Sequence, residues 1–181
     1  MRVGINASFL RKPNTGIGQV TLNFLRKVSE SSHVEYILYL EEPLPNGLGI
    51  PRHFREQVLL PWWKRDDLIR KLWWERCLVP KRAKRDGCDV FISLYQSATV
   101  MPKNIRHIMV VHDIIPKLFP EYLNNWRKRR YWKSVEHGVC HADKIYAVSS
   151  RTEKDLVQHL GVPSSVVSIN RIDVDPIFKR S

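Results

Sequence analysis

Short runs rich in β-branched and aromatic residues alternate with stretches of helical period along the whole chain, and this alternation constrains the fold more than any other feature. Arg2–Asn6 (RVGIN), Val34–Leu40 (VEYILYL), Asp89–Leu94 (DVFISL), Ile105–Val111 (IRHIMVV), Lys144–Val148 (KIYAV) and Val166–Ile169 read as strands, with Gln57–Leu60 as a short further one. Between them, Val20, Phe24, Leu25 and Val28 recur at helical spacing and predict a helix from about Ile17 to Ser31. A second helix, from Asp66 to about Arg85, carries Leu68, Leu72, Trp73 and Cys77 as its apolar stripe, and Pro80 should end or kink it. Tyr122–His141 predicts a basic helix. Arg151–Leu160 predicts another, capped by Ser150, with Glu153 completing a capping box and Gly161 and Pro163 stopping it. Strands alternating with helices imply βαβ units, so the expected fold class is α/β, a doubly wound parallel sheet with helices on both faces.

Charge bears on partners. The 181 residues hold 30 Lys+Arg against 18 Asp+Glu, a net charge of +12 with His neutral. Such an excess favours an anionic partner: nucleic acid, anionic lipid headgroups or a phosphorylated substrate. Trp62, Trp63, Trp73 and Trp74 interleave with Lys64, Arg65, Arg70, Lys71, Arg76, Lys81, Arg82, Lys84 and Arg85. Trp126–Lys133 (WRKRRYWK) repeats the theme with five basic residues and no acid. Tryptophan beside cation suits a membrane interface or a nucleic-acid surface. The ordinary reading of the same residues is tryptophans packed on the sheet and a solvated basic face. No apolar run approaches the ~18–20 residues that span a bilayer. Three cysteines without a CxxC do not make a disulfide framework, so a reducing cytoplasm is expected.

In open α/β sheets ligands sit at the carboxyl ends of the strands. That rule selects Lys12–Gly18, Tyr95–Pro102, His112-Asp113 and Ser149-Ser150. Asn14-Thr15-Gly16-Ile17-Gly18 enters a helix directly, where two glycines admit a close ligand and the first N–H groups favour an anion. An ordinary turn explains these residues equally well. Thr21 stands where the third glycine of a dinucleotide fingerprint would fall, and no GxxxxGK[ST] is present. His112 can donate to a sugar hydroxyl or phosphate, with Asp113 orienting its ring, or it can be satisfied by backbone groups. His137, Cys140 and His141 have metal-ligand spacing, but Gly138 interrupts their helix and no fourth ligand is evident, so no metal is expected.

MRVGINASFL with TGIGQVTLNFL, then VVHDIIPKLFPEY, then ADKIYAVSSRTEKDLVQHLGVPSSVVSIN, in this order and at this spacing, resemble the N-terminal domain of a family-4 retaining glycosyltransferase (glycosyl transferases group 1) of the GT-B fold. The resemblance covers the start of the chain and the stretch from about Asp89 onward, while Glu42 to Gly87 matches only in pattern. It implies that residues 1–170 are a Rossmann-like acceptor-side domain, one half of a GT-B architecture, and that 171–181 begin the crossing to a second domain. Asn170-Arg171 stands where asparagine-glycine is usual. The missing donor-binding domain would leave this chain inactive alone, and a separate donor-domain chain could supply it.

By the same resemblance, Gly16 and Gly18, with Thr15 beside them, line the cleft near the donor diphosphate. His112 reaches the transferred sugar and Asp113 shapes its loop. Tyr95, Gln96 and Ser97 fall on the acceptor side, and Ser149 and Ser150 face the cleft. The implied activity moves a hexose, with retention, from a nucleotide-sugar to a lipid-linked or polysaccharide acceptor. The nucleotide-sugar is a substrate, and no cofactor is expected. The basic surface would hold the chain peripherally at the anionic inner face of the membrane. The rival reading is a non-catalytic basic α/β module that binds nucleic acid or anionic lipid, and it leaves HDIIP and the glycine loop unexplained.

Overall fold

Seven strands form one all-parallel sheet in a computed structural model that describes residues 1–60 and 67–170. They are β1 (Arg2–Asn6), β2 (Glu35–Leu40), β3 (Phe54–Val58), β4 (Val90–Ser93), β5 (Arg106–Val111), β6 (Lys144–Ala147) and β7 (Val167–Ile169), ordered β3-β2-β1-β4-β5-β6-β7. β1 lies at the centre, with Ile5 opposite Leu38 on one side and Ile92 on the other. Strand order reverses between β1 and β4, which opens a crevice at their carboxyl ends.

The helices are α1 (Gly16–Lys27), α2 (Asp67–Trp73), α3 (Val79–Arg85), α4 (Ile115–Leu118), α5 (Trp126–Cys140) and α6 (Ser150–Leu160). Leu22 and Leu25 of α1 pack on Val3, Ile5, Leu38 and Leu40. Alternate strand residues point the other way: Ile37, Tyr39 and Phe91 receive Trp74, Val79 and Ala83. Val135 and Val139 of α5 and Leu156 of α6 cover Met109, Val111, Ile145 and Ala147. Each such aliphatic side chain stabilises the fold by roughly 1.5–3 kcal/mol on burial. The α/β doubly wound class therefore holds.

Several local readings need correction. The first helix ends at Lys27, because Val28 turns extended at φ −75° and ψ 114°. The third strand is Phe54–Val58, displaced from Gln57–Leu60, and pairs Phe54 with Tyr36. It is an edge strand with Arg55 and Glu56 exposed, so its polar residues hide it from a search for apolar runs. Pro80 does not end its helix. A π-helical turn, Trp74–Leu78, joins α2 to α3, with the Val79 N–H reaching back to Trp74. That wider turn accommodates a residue with no N–H and a bulky ring. Ser149, not Ser150, caps α6: its Oγ accepts from the Thr152 N–H at 3.1 Å.

Gly138 does not interrupt α5, which runs through it. A Cβ there would lie 3.0 Å from the Ala98 carbonyl carbon, 3.1 Å from the Thr99 oxygen, and closer still to the Ser97 oxygen. The glycine lets α5 pack directly on the backbone that follows β4. Trp62, Trp63, Lys64, Arg65, Asp66 and the expected crossing at 171–181 lie outside the described residues.

Candidate functional site

The crevice between β1 and β4 is built from a buried polar network. Asn6, the last residue of β1, donates through Nδ2 to the Tyr95 hydroxyl at 3.1 Å. The Tyr95 hydroxyl donates to Glu75 Oε1 at 2.7 Å. Its single proton is thereby committed, so the Ser8 hydroxyl at 2.9 Å must donate to it. Glu75 also accepts from the Ala98 N–H at 2.9 Å and from the Tyr131 hydroxyl of α5 at 3.2 Å. Glu75 sits in the π-helical turn and is fully buried. Burial pushes its carboxyl up, against the opposing pull of Lys71 and the three donors. Burial also pushes the Tyr95 and Tyr131 hydroxyls well above the usual tyrosine range.

A cavity of about 310 Å³ opens over this network, lined by Phe9, Ile17, Lys71, Tyr95, Gln96, Pro116, Tyr122, Leu123, Lys128, Tyr131, Trp132 and Val135. These come from the segments after β1, β4 and β5, from α2 and from α5, so the cavity lies where an open sheet presents its ligand. Tyr95 offers it a ring edge-on to Phe9, with centroids 4.5 Å apart, while its hydroxyl is consumed beneath. Ser97 is buried, and its hydroxyl reaches only Ser93, at 3.4 Å.

His112 is half-buried just past β5. Its Nε2 lies 3.0 Å from the Leu94 carbonyl. A carbonyl can only accept, so Nε2 carries a proton, and Nδ1 is the ring nitrogen not committed to the backbone. The His112 N–H donates to Gln96 Oε1 at 3.2 Å, and its carbonyl accepts from Thr152 Oγ1 at 3.0 Å. Asp113 does not orient the ring. Its Oδ1 accepts from the Ile115 N–H at 3.1 Å and starts α4. The structure thus brings His112, Gln96 and the first turn of α6 together, with Ser149 engaged as the cap and Ser150 exposed.

In the glycine loop, Thr15 Oγ1 accepts from the Gly18 N–H at 3.1 Å and donates to the Lys12 carbonyl at 2.8 Å. A Cβ on Gly18 would overlap the Lys12 and Pro13 backbone, so this glycine closes the loop. Gly16 is exposed and faces open space. The metal-spaced residues do not converge. His137 and His141 stack with ring centroids 4.0 Å apart, and Cys140 faces the Leu160 carbonyl at 3.7 Å. Among the described residues no group of three or more His, Cys, Asp or Glu could hold a metal ion.

Glu75 and Lys71 escaped the sequence reading, because both lie within a stretch read for its positive charge. One signal was there. Leu68, Leu72 and Glu75 share helical spacing, which places a carboxylate on the buried stripe.

A second cavity, of about 500 Å³, runs between α2 and α5. Leu72 and Tyr131 lie among its lining residues, with Arg76 and Arg130. Trp73 and Trp126, also lining it, are 41% and 61% exposed. Among the described residues no helix is long and apolar enough to cross a membrane.

The family model described as Glycosyltransferase Family 4 matches residues 14–174. No curated protein gives a significant match. Among solved structures, the apo form of the lipopolysaccharide outer core galactosyltransferase WaaB superposes with a TM-score of 0.56 at 12% identity, over 97% of this chain and 47% of that one. A glycosyltransferase from Rickettsia africae ESF-5 superposes with a TM-score of 0.50 at 11% identity, over 94% of this chain and 42% of its own. The chain therefore spans less than half the length of either, and at these identities the likeness is one of fold.

Proposed function

This chain belongs to glycosyltransferase family 4, and on that premise we propose that it is the acceptor-side half of an enzyme that moves a hexose from a nucleotide-sugar to a lipid-linked or polysaccharide acceptor. Turnover then requires a donor-side domain, in the same polypeptide or a separate chain. The observation that carries the reading is the cavity at the β1/β4 crevice, whose lining residue Gln96 also accepts from the His112 N–H at 3.2 Å. With His112 Nε2 committed to the Leu94 carbonyl, Nδ1 accepts a hydrogen bond from a hydroxyl of the transferred sugar. Such a contact accelerates the reaction to the extent that it strengthens in the transition state. Gly16 and the start of α1 border the donor diphosphate, and retention of configuration follows the family.

With a donor-side domain present, His112→Ala is expected to cut turnover by roughly 10²-fold or more, at an unchanged melting temperature. A lower melting temperature with intact turnover per folded molecule would return the histidine to a structural role. Robust sugar transfer by the 181 residues alone would overturn the half-enzyme reading.

The groove between α2 and α5 supports a further part of the proposal, attachment to an anionic membrane face. Its tryptophans stand exposed beside Arg76 and Arg130, and each basic residue near such a surface contributes ~1 kcal/mol. The chain is expected to co-sediment with anionic vesicles and not with neutral ones. Equal binding to both would remove this part of the reading.

A further inference from the structure

The cavity at the β1/β4 crevice holds a largely buried cation set among three aromatic rings. Lys71 Nζ lies 4.6 Å from the Phe9 ring centroid, 4.7 Å from that of Tyr95 and 5.4 Å from that of Tyr131. Its side chain is only 15% exposed. Ring faces attract an ammonium electrostatically and replace part of its lost hydration, but they do not satisfy its three N–H donors. Glu75 Oε1 stands 3.8 Å away, beyond hydrogen-bond length, and its carboxylate is already engaged by Tyr95, Tyr131 and Ala98. The other nearby acid, Glu41, meets Arg70 at 3.2 Å and Arg11 at 3.8 Å through Oε2, while its Oε1 is buried without a partner.

Lys71 and Lys128 both line the cavity, and among the described residues no carboxylate lines it. Lys71 and Glu75 together sum to zero, and Lys128 adds one positive charge. An anionic ligand balances this excess and gives the ammonium a charge-assisted acceptor. Apart from Gln96, the rest of the lining, including Phe9, Ile17, Tyr122 and Leu123, is apolar or aromatic and suits the C–H face of a sugar ring. The volume sits near the bottom of the ~300–1,000 Å³ range of small-ligand sites, which favours a single sugar unit.

We propose that this cavity takes an acidic acceptor sugar, one that carries a carboxylate or a phosphate, with Lys71 on the anion and Phe9, Tyr95 and Tyr131 holding the ammonium in place. The inference rests on the reading of this crevice as the acceptor side and specifies the acceptor's class.

Binding of methyl glucuronide, glucose 6-phosphate and neutral methyl glucoside to the 181-residue chain, followed by calorimetry or NMR titration, tests it. At least one acidic probe is expected to bind at least tenfold tighter than the neutral one, and the pair of acidic probes tells carboxylate from phosphate. The double variant Lys71→Met/Glu75→Gln removes both charges together and so leaves no lone buried ion. It should abolish the preference for acidic over neutral probes. Lys128→Ala, at the rim, should reduce the preference about threefold whatever becomes of the double variant. Equal affinity for acidic and neutral probes would overturn the acidic-sugar inference and leave the acceptor-side reading standing. An acidic preference that survives both sets of substitutions would overturn the assignment to Lys71. Failure of every probe to bind would overturn inference and acceptor-side reading alike.

Discussion

The two edges of the sheet use their charged residues in opposite ways. At the edge where the strands begin, Arg2, Glu35, Arg55 and Asp86 pair across the surface. The distances are 2.6 Å for Arg2–Glu35 and 3.1 Å each for Arg55–Glu35 and Arg55–Asp86, with the Arg2 and Arg55 side chains 48% and 46% exposed. Arg2, through its hydrogen bond, holds the Glu35 carboxyl below its usual range. At the edge where the strands end, Glu75 is fully buried and Lys71 nearly so, and tyrosine hydroxyls replace water around them. Exposed pairs contribute little, because water and salt already screen them. A buried pair costs desolvation that a packed apolar pair would not. The first edge is surface chemistry with little at stake, whereas the second persists at a cost to stability.

The sharpest way to break this contrast is Glu75→Ala. It strands Lys71 without a counter-ion and leaves Tyr95, Tyr131 and the Ala98 N–H without their acceptor. Loss of about 3–5 kcal/mol is expected in urea unfolding, and a loss below 1 kcal/mol would show that the network carries no strain of burial.

His107, near the start of β5, tests burial by titration. Its ring is buried, Nε2 meets Ser93 Oγ at 2.9 Å, and Nδ1 has no partner. Burial pushes its pKa down from 6.5 to about 4, against the opposing charge of Asp143. The unfolded chain therefore binds the proton first as pH falls. Stability is full above about pH 6.5 and declines toward pH 4, by up to about 3 kcal/mol. Unfolding free energies at pH 7, 5.5 and 4.5 should show this slope in the wild type, and His107→Gln should flatten it. A parallel slope in the variant would assign the effect to other groups.

Gly138→Ala comes next. The added methyl meets backbone from Ser97 to Thr99, which has little room to retreat. A loss of about 1–3 kcal/mol is expected, together with weakened ligand binding, since the displaced segment directly follows Tyr95 and Gln96. Unchanged binding at reduced stability would separate this contact from the site.

The smallest effect belongs to the opposite edge. Glu35→Ala should leave the unfolding midpoint within error of the wild type at physiological salt. A midpoint shift as large as that of Glu75→Ala would erase the difference between the edges.

Legibility divides along the same line. VEYILYL and IRHIMVV announce strands because both faces of a central parallel strand are buried, so the apolar run is unbroken. HFREQV hides one, because an edge strand keeps polar residues. His112 and Gln96 stand out by position at strand ends, but which ring nitrogen of His112 the backbone occupies depends on the Leu94 carbonyl, 18 residues earlier. The Ser149-Ser150 pair located the helix start to within one residue, and the hydrogen bond to Thr152 chose Ser149.

The sequence by itself determined the order and kind of the elements, the parallel class and the motifs that carry the family likeness. All of these are local: periodicity, caps and short motifs act between residues a few positions apart. Only the tertiary structure decided which charges lie in water and which in the interior. Asn6 meets Tyr95 across 89 residues, and Tyr131 meets Glu75 across 56. The reversal of strand order between β1 and β4 makes these contacts. No local pattern encodes it, because an apolar strand packs as well beside one neighbour as another until the crossovers choose.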